Sequence, residues 1–172
     1  MFKLKSLALG AALASTVAAG AMAAEPRMKP EAFVNAAAQS DQYEIQAGRL
    51  IVTQSQNSRV RGFAQQMIDH HTQTSQALAE AASASRLPPP PKTMSGDQQR
   101  MLNALQSLNG PALDRTYMTQ QVGAHVSALV TQQDYAASGS DPNLRKTAQM
   151  TVPMIQRHLE TAKQLKDSMP AD

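Results

Sequence analysis

Apolar side chains recur at steps of three and four residues along four long stretches of the chain, the spacing of one face of an α-helix. From Pro30 to about Ser55 the face is Phe33, Ala37, Glu44, Ala47, Gly48 and Ile51. Asn57 and Ser58 then offer a turn and an N-cap, and Val60, Phe63, Ala64, Met67, Ile68, His71, Leu78 and Ala82 repeat the spacing to about Ser85. So short a connection predicts an antiparallel hairpin. Four consecutive prolines, Pro88 to Pro91, fix extended torsions and lack amide donors, so residues 86–94 read as a stiff crossover. Ser95 can cap a short helix carrying Met101, Leu102, Leu105 and Leu108, which Asn109-Gly110-Pro111 stops.

A third long helix is predicted from Ala112 to about Ala137, with Leu113, Tyr117, Met118, Gln121, Val122, His125, Ala128 and Leu129 inward. Ser138-Gly139-Ser140 closes it, and Asp141-Pro142 caps a fourth that extends to about Ser168. Its inward face is Leu144, Ala148, Met154, Ile155, His158, Leu159, Ala162 and Leu165, and Pro153 is expected to interrupt it with a kink. The expected fold is all-α: a four-helix bundle with a short extra helix in the crossover between its two hairpins.

The first 23 residues change the picture of where the chain works. Lys3 and Lys5, an apolar run from Leu7 to Val17 and a small-residue end at Ala21-Met22-Ala23 have the order of a secretory signal. The run is shorter than the roughly 20 residues of a membrane span, so cleavage near Ala23 and a periplasmic or secreted product are expected, with residues 24–172 forming the helical domain and no transmembrane segment. With no Cys, disulfides are excluded even in an oxidising compartment, and packing or a bound ligand must hold the fold. Without Lys3 and Lys5, 14 basic residues face 13 acidic ones, and the aromatic residues are only three Tyr and three Phe. That balance speaks against a nucleic-acid surface and identifies no protein partner.

Candidate chemistry lies on the apolar faces themselves, where each long helix carries one ligand-capable side chain: Glu44, His71, His125 and His158. In a hairpin turning near residue 57, Glu44 and His71 differ in height by at most roughly 3 Å at 1.5 Å per residue. Around a turn near residue 140, His125 and His158 differ by roughly 4.5 Å. One divalent metal, zinc, iron, manganese or copper, suits such an imidazole and carboxylate set. The alternative is a metal-free structural or interaction bundle in which Glu44, Gln121, Tyr117 and the imidazoles form a buried hydrogen-bond network. His70, Tyr117 and Gln121 are expected around the ligands rather than among them. Neither a nucleophile motif nor a phosphate loop is present, which ranks an enzyme below a binding protein.

Phe33-Val34-Asn35-Ala36-Ala37, Tyr43-Glu44-Ile45, Phe63 through Thr72, Asp114-Arg115-Thr116-Tyr117 through Gln121-Val122 with His125, Asp141-Pro142-Asn143-Leu144, and Pro153 through Leu159 together resemble an exported bacterial family, domain of unknown function 4142. The resemblance implies a ferritin-like bundle, export to the periplasm or outer membrane, and a biochemical role not yet established. By position it places the family's Glu on Glu44 and its His on His71, His125 and His158. Where the family commonly has Asp before the helix-two His, this chain has His70. Ile68 and Ile155 stand where the Glu-x-x-His pairs of di-iron bundles would need Glu, so oxidase-type di-iron chemistry is not expected. Met67-Ile68-Asp69-His70-His71 is also similar to the Met-x-x-His-His signature of a second exported helical family linked to copper handling.

Overall fold

The computed structural model describes residues 28–170; the secretory signal expected over residues 1–23 and the cleavage expected near Ala23 lie outside the described residues. Five helices follow in order: α1 (Pro30–Gln54), α2 (Ser58–Ala84), α3 (Gly96–Gln106), α4 (Gly110–Ser138) and α5 (Pro142–Asp167). Their starts obey local hydrogen-bonding chemistry. Asn57 accepts from the amides of Arg59 and Val60, Ser95 and Gln98 form a reciprocal capping box, and Asp141 accepts from the Leu144 amide just ahead of Pro142.

Side-chain pairs fix the directions. Phe33 near the start of α1 stacks on Tyr135 near the end of α4 at 4.0 Å, and Tyr43 donates to Gln120 Oε1 at 2.7 Å, so α1 and α4 are antiparallel. At the end of α2, Ser85 donates to Asp141 at 2.7 Å, which sets α2 against the start of α5. Helices α2 and α4 therefore run the same way, joined by residues 85–109 that travel the length of the bundle. One long crossover between two antiparallel hairpins is the ferritin-like arrangement. Within the crossover, α3 lies over α1 and α4, burying Leu102 and Leu105 while the Gln120 amide donates to Met101 O at 3.1 Å.

The buried apolar residues form two clusters rather than one. Toward one end lie Phe33, Ala37, Leu78, Ala82, Tyr135, Leu144 and Ala148; toward the other lie Ile51, Val60, Phe63, Met67, Leu105, Leu113, Tyr117 and Ala162. Between α1 and α2 the approach is so close that a Cβ on Gly48 would sit 2.8 Å from Ile68 Cγ1 and 2.9 Å from Ala64 O. Glycine is there for space, not for backbone freedom.

Two expectations need correction. Helix α5 continues through Pro153 instead of being interrupted; Pro153 and Gln149 are both exposed, so the carbonyl deprived of its amide partner lies where water can replace the bond. The inward face of α4 also differs: Gln132 and Tyr135 extend it beyond Leu129 and Asp114 joins it, whereas Val122, Ala128 and Leu129 are half-buried.

Candidate metal centre

The layer separating the two apolar clusters is polar. Asp41 and Glu44 from α1, His71 from α2, Gln121 and His125 from α4, and Thr151 and His158 from α5 are all buried there. Desolvating polar groups is costly unless each finds a partner, so the network repays a bond-by-bond reading.

His71 Nδ1 lies 2.8 Å from Asp41 Oδ1. A carboxylate oxygen accepts, so Nδ1 carries the proton and Nε2 faces inward. The same Asp41 accepts from Thr74 Oγ1 at 3.0 Å and from Ser75 Oγ at 3.1 Å, which locks its orientation. His71 Nε2 is buried and has no partner among the described residues. His125 Nδ1 donates to the Gln121 carbonyl at 2.9 Å, leaving its Nε2 as a lone pair 3.3 Å from His158 Nδ1. The other His158 nitrogen, Nε2, meets His70 Nδ1 at 2.7 Å, with the two rings stacked at 5.0 Å. One nitrogen from each of His71, His125 and His158 thus lies within 4.8 Å of the other two.

Electrostatics separate the three imidazoles. Burial pushes the His71 pKa down, but the hydrogen bond that His71 donates to Asp41 and the charges of Asp41 and Glu44 together outweigh it and leave the value raised. His125 is lowered, chiefly by burial, with His71 adding to the effect and Glu44 opposing it. Burial, reinforced by His71, His125, His70 and Arg157, lowers His158 to about 2. His125 and His158 are therefore neutral lone-pair donors at physiological pH. Tyr117 is raised well above the ordinary phenol range by burial and by Glu44 and Tyr43, so it stays protonated.

Glu44 occupies the same layer but is not part of the three-imidazole group. It accepts from Gln121 Nε2 at 2.6 Å and stands 3.9 Å from His125 Nδ1, the nitrogen facing away from His158. Gln121 bridges Glu44 to His125, through its side chain and its carbonyl respectively. Tyr117 is buried in the apolar cluster beside this layer, and its hydroxyl has no partner among the described residues. His70 is half-buried and meets the group through the His158 ring. Asp41, absent from the four ligands expected from sequence, lies four residues after Ala37 and three before Glu44, so helical spacing alone puts it on the same stripe of α1.

Comparison with known proteins agrees with this architecture. The chain is similar in fold to CopM in its Cu(II)-bound form, at 14% identity over 83% of this chain and 98% of that one, with a TM-score of 0.70. A DUF305 fragment from Deinococcus radiodurans matches at 16% identity over 83% and 98%, also at 0.70. A DUF305 protein from Streptomyces coelicolor, described as secreted, matches at 12% identity over 84% and 98%, at 0.64. No curated protein matches the sequence. The profile of DUF4142, a domain of unknown function, matches residues 15–165, and the chain belongs to that family.

Proposed function

We propose that this protein binds one divalent transition-metal ion through His71, His125 and His158 and serves metal handling in the bacterial envelope after removal of its signal peptide. The observation that carries the reading is His71 Nε2: a buried nitrogen without a partner, facing two other imidazoles, on a ring whose Nδ1 is committed to Asp41. In metal-binding histidines the remaining ring nitrogen donates to a carboxylate or carbonyl, and Asp41 and the Gln121 carbonyl stand in those positions. His70 would do the same for His158 by accepting from its Nε2–H. Bonds of 2.0–2.1 Å in tetrahedral geometry imply nitrogen separations of about 3.3 Å, so ring shifts on the order of 1 Å suffice.

Three imidazoles with no thiolate suit copper(II) and zinc, and copper(II) is expected to bind more tightly. The copper-bound state of CopM, a protein of similar fold, supports that order. A four-ligand set including Glu44 is less well supported, because Glu44 is engaged by Gln121 on the far side of His125. Among the described residues no helix is long and apolar enough to cross a membrane, which fits an exported domain.

The test is metal analysis of untagged protein after dialysis against copper(II) or zinc. One ion per chain, lost in His125→Ala and His71→Ala, is the expected result. A chain that stays metal-free, with a melting temperature indifferent to both ions, would sink the reading and leave a hydrogen-bonded scaffold.

A further inference from the structure

A cavity of about 530 Å³ lies between α1 and α4 and reaches His71. That volume is in the range of small-molecule sites. Most of the surface it presents is apolar, with Ala36 and Ala37 on one side and Ala124 and Ala128 on the other, and polar side chains such as Ser40, Thr131 and Thr151 are set among them. Exposed Gly123 and Ser127 also line it, and no atom comes within 4 Å of where a Gly123 Cβ would stand. Deeper in the wall, Gln132 is 8% exposed and its Oε1 has no protein partner.

An ion held by three imidazoles keeps a free coordination position, and His71 is the one of the three that lines this cavity. We propose that the cavity binds a neutral, largely apolar small molecule whose lone-pair nitrogen, of the pyridine or imidazole type, completes the coordination of that ion. The inference rests on the metal reading above. Neutrality follows from the surrounding charges: Asp41 bonds His71 and Glu44 stands 3.9 Å from His125, so two carboxylates already match a divalent ion. An anionic ligand would add a buried charge with nothing to offset it, whereas an apolar body is at home against alanine walls.

The test uses the full mature chain, carbon-13 labelled at alanine methyls, with 4-phenylpyridine and biphenyl-4-carboxylate as probes. Zinc content is measured first on the same sample. Zinc absent overturns the coordinated head group, and copper(II) absent as well overturns the metal reading; zinc present but no probe response overturns only the cavity ligand. The expected result is a saturable shift of the Ala36, Ala124 and Ala128 signals by 4-phenylpyridine. It should be at least tenfold tighter with zinc than without, and at least tenfold tighter than for the carboxylate. Gly123→Phe, or Ser127→Phe as a second plug, should abolish the shift while zinc stoichiometry stays at one. Equal affinity with and without zinc, tighter binding of the carboxylate, or shifts that survive both plugs would overturn the proposal.

Discussion

Replacing Asp41 by Asn removes one charge and almost no volume, which makes it the sharpest probe of how the centre is held. Asp41 accepts three hydrogen bonds, from His71 at 2.8 Å, Thr74 at 3.0 Å and Ser75 at 3.1 Å. In Asp41→Asn the remaining carbonyl oxygen can still serve His71 and Thr74, and the new amide can donate to the Ser75 hydroxyl, so the network survives in neutral form. What is lost is the charge that raises His71 basicity. Removing a partner of this kind lowers metal affinity about 10- to 100-fold, equivalent to about 1.4–2.7 kcal/mol. Stability of the metal-free protein should fall by about 1 kcal/mol, the difference between a charge-assisted and a neutral hydrogen bond. Competition against a chromogenic chelator measures the first quantity and urea denaturation the second. If Asp41→Asn is folded and binds copper(II) as tightly as the parent while His125→Ala binds none, the Asp41 charge does not strengthen His71 as a ligand.

Glu44→Gln should weaken metal binding less than Asp41→Asn does, since its carboxylate contacts Gln121 rather than the three converging nitrogens; a loss equal to that of His125→Ala would make Glu44 a ligand after all. Glu44→Ala should cost about 1–3 kcal/mol in the metal-free protein by leaving the buried Gln121 amide unpaired, read from its denaturation midpoint. Gly48→Ala should destabilise by about 1–3 kcal/mol, because its methyl would meet a backbone oxygen that cannot swing away; unchanged stability would mean that α1 and α2 are less closely packed. Acid should weaken the metal-free fold in a defined window. His158 is held at about 2 in the folded chain, and a free imidazole titrates near 6.5. Below 6.5 the unfolded state therefore binds the extra proton, and stability drops by about 1.4 kcal/mol per pH unit, with His125 acting in the same direction. His71, being raised, is protonated in both states there and adds no slope; its contribution is lost only as pH rises through its folded value. Midpoints at pH 6.5 and 5.5 should differ in the parent and differ less in His158→Gln; a flat parent profile would contradict a neutral buried His158.

Helix order and the depth of the imidazoles were legible because both follow from periodicity. His71, His125 and His158 stand at helical spacing from residues such as Ala64, Met118 and Ile155, so burial of those residues carries the imidazoles inward. The stripe on α4 was also extendable, since Gln132 and Tyr135 continue the seven-residue steps through Met118, His125 and Gln121. Which nitrogen faces which neighbour was not legible. Spacing places Asp41 and Glu44 on one face of α1, but it cannot say that one reaches His71 and the other Gln121. That depends on the relative rotation of packed helices, as does the cavity between α1 and α4, which small residues on both helices permit but do not dictate.

The central claim is convergence of three imidazoles on one ion, and X-ray absorption at the metal edge of the loaded, untagged protein addresses it most directly. The expected spectrum shows three nitrogen scatterers at about 2.0–2.1 Å with the outer-shell scattering of imidazole rings, reduced in His125→Ala. A shell of oxygen atoms alone, without imidazole scattering, would contradict it.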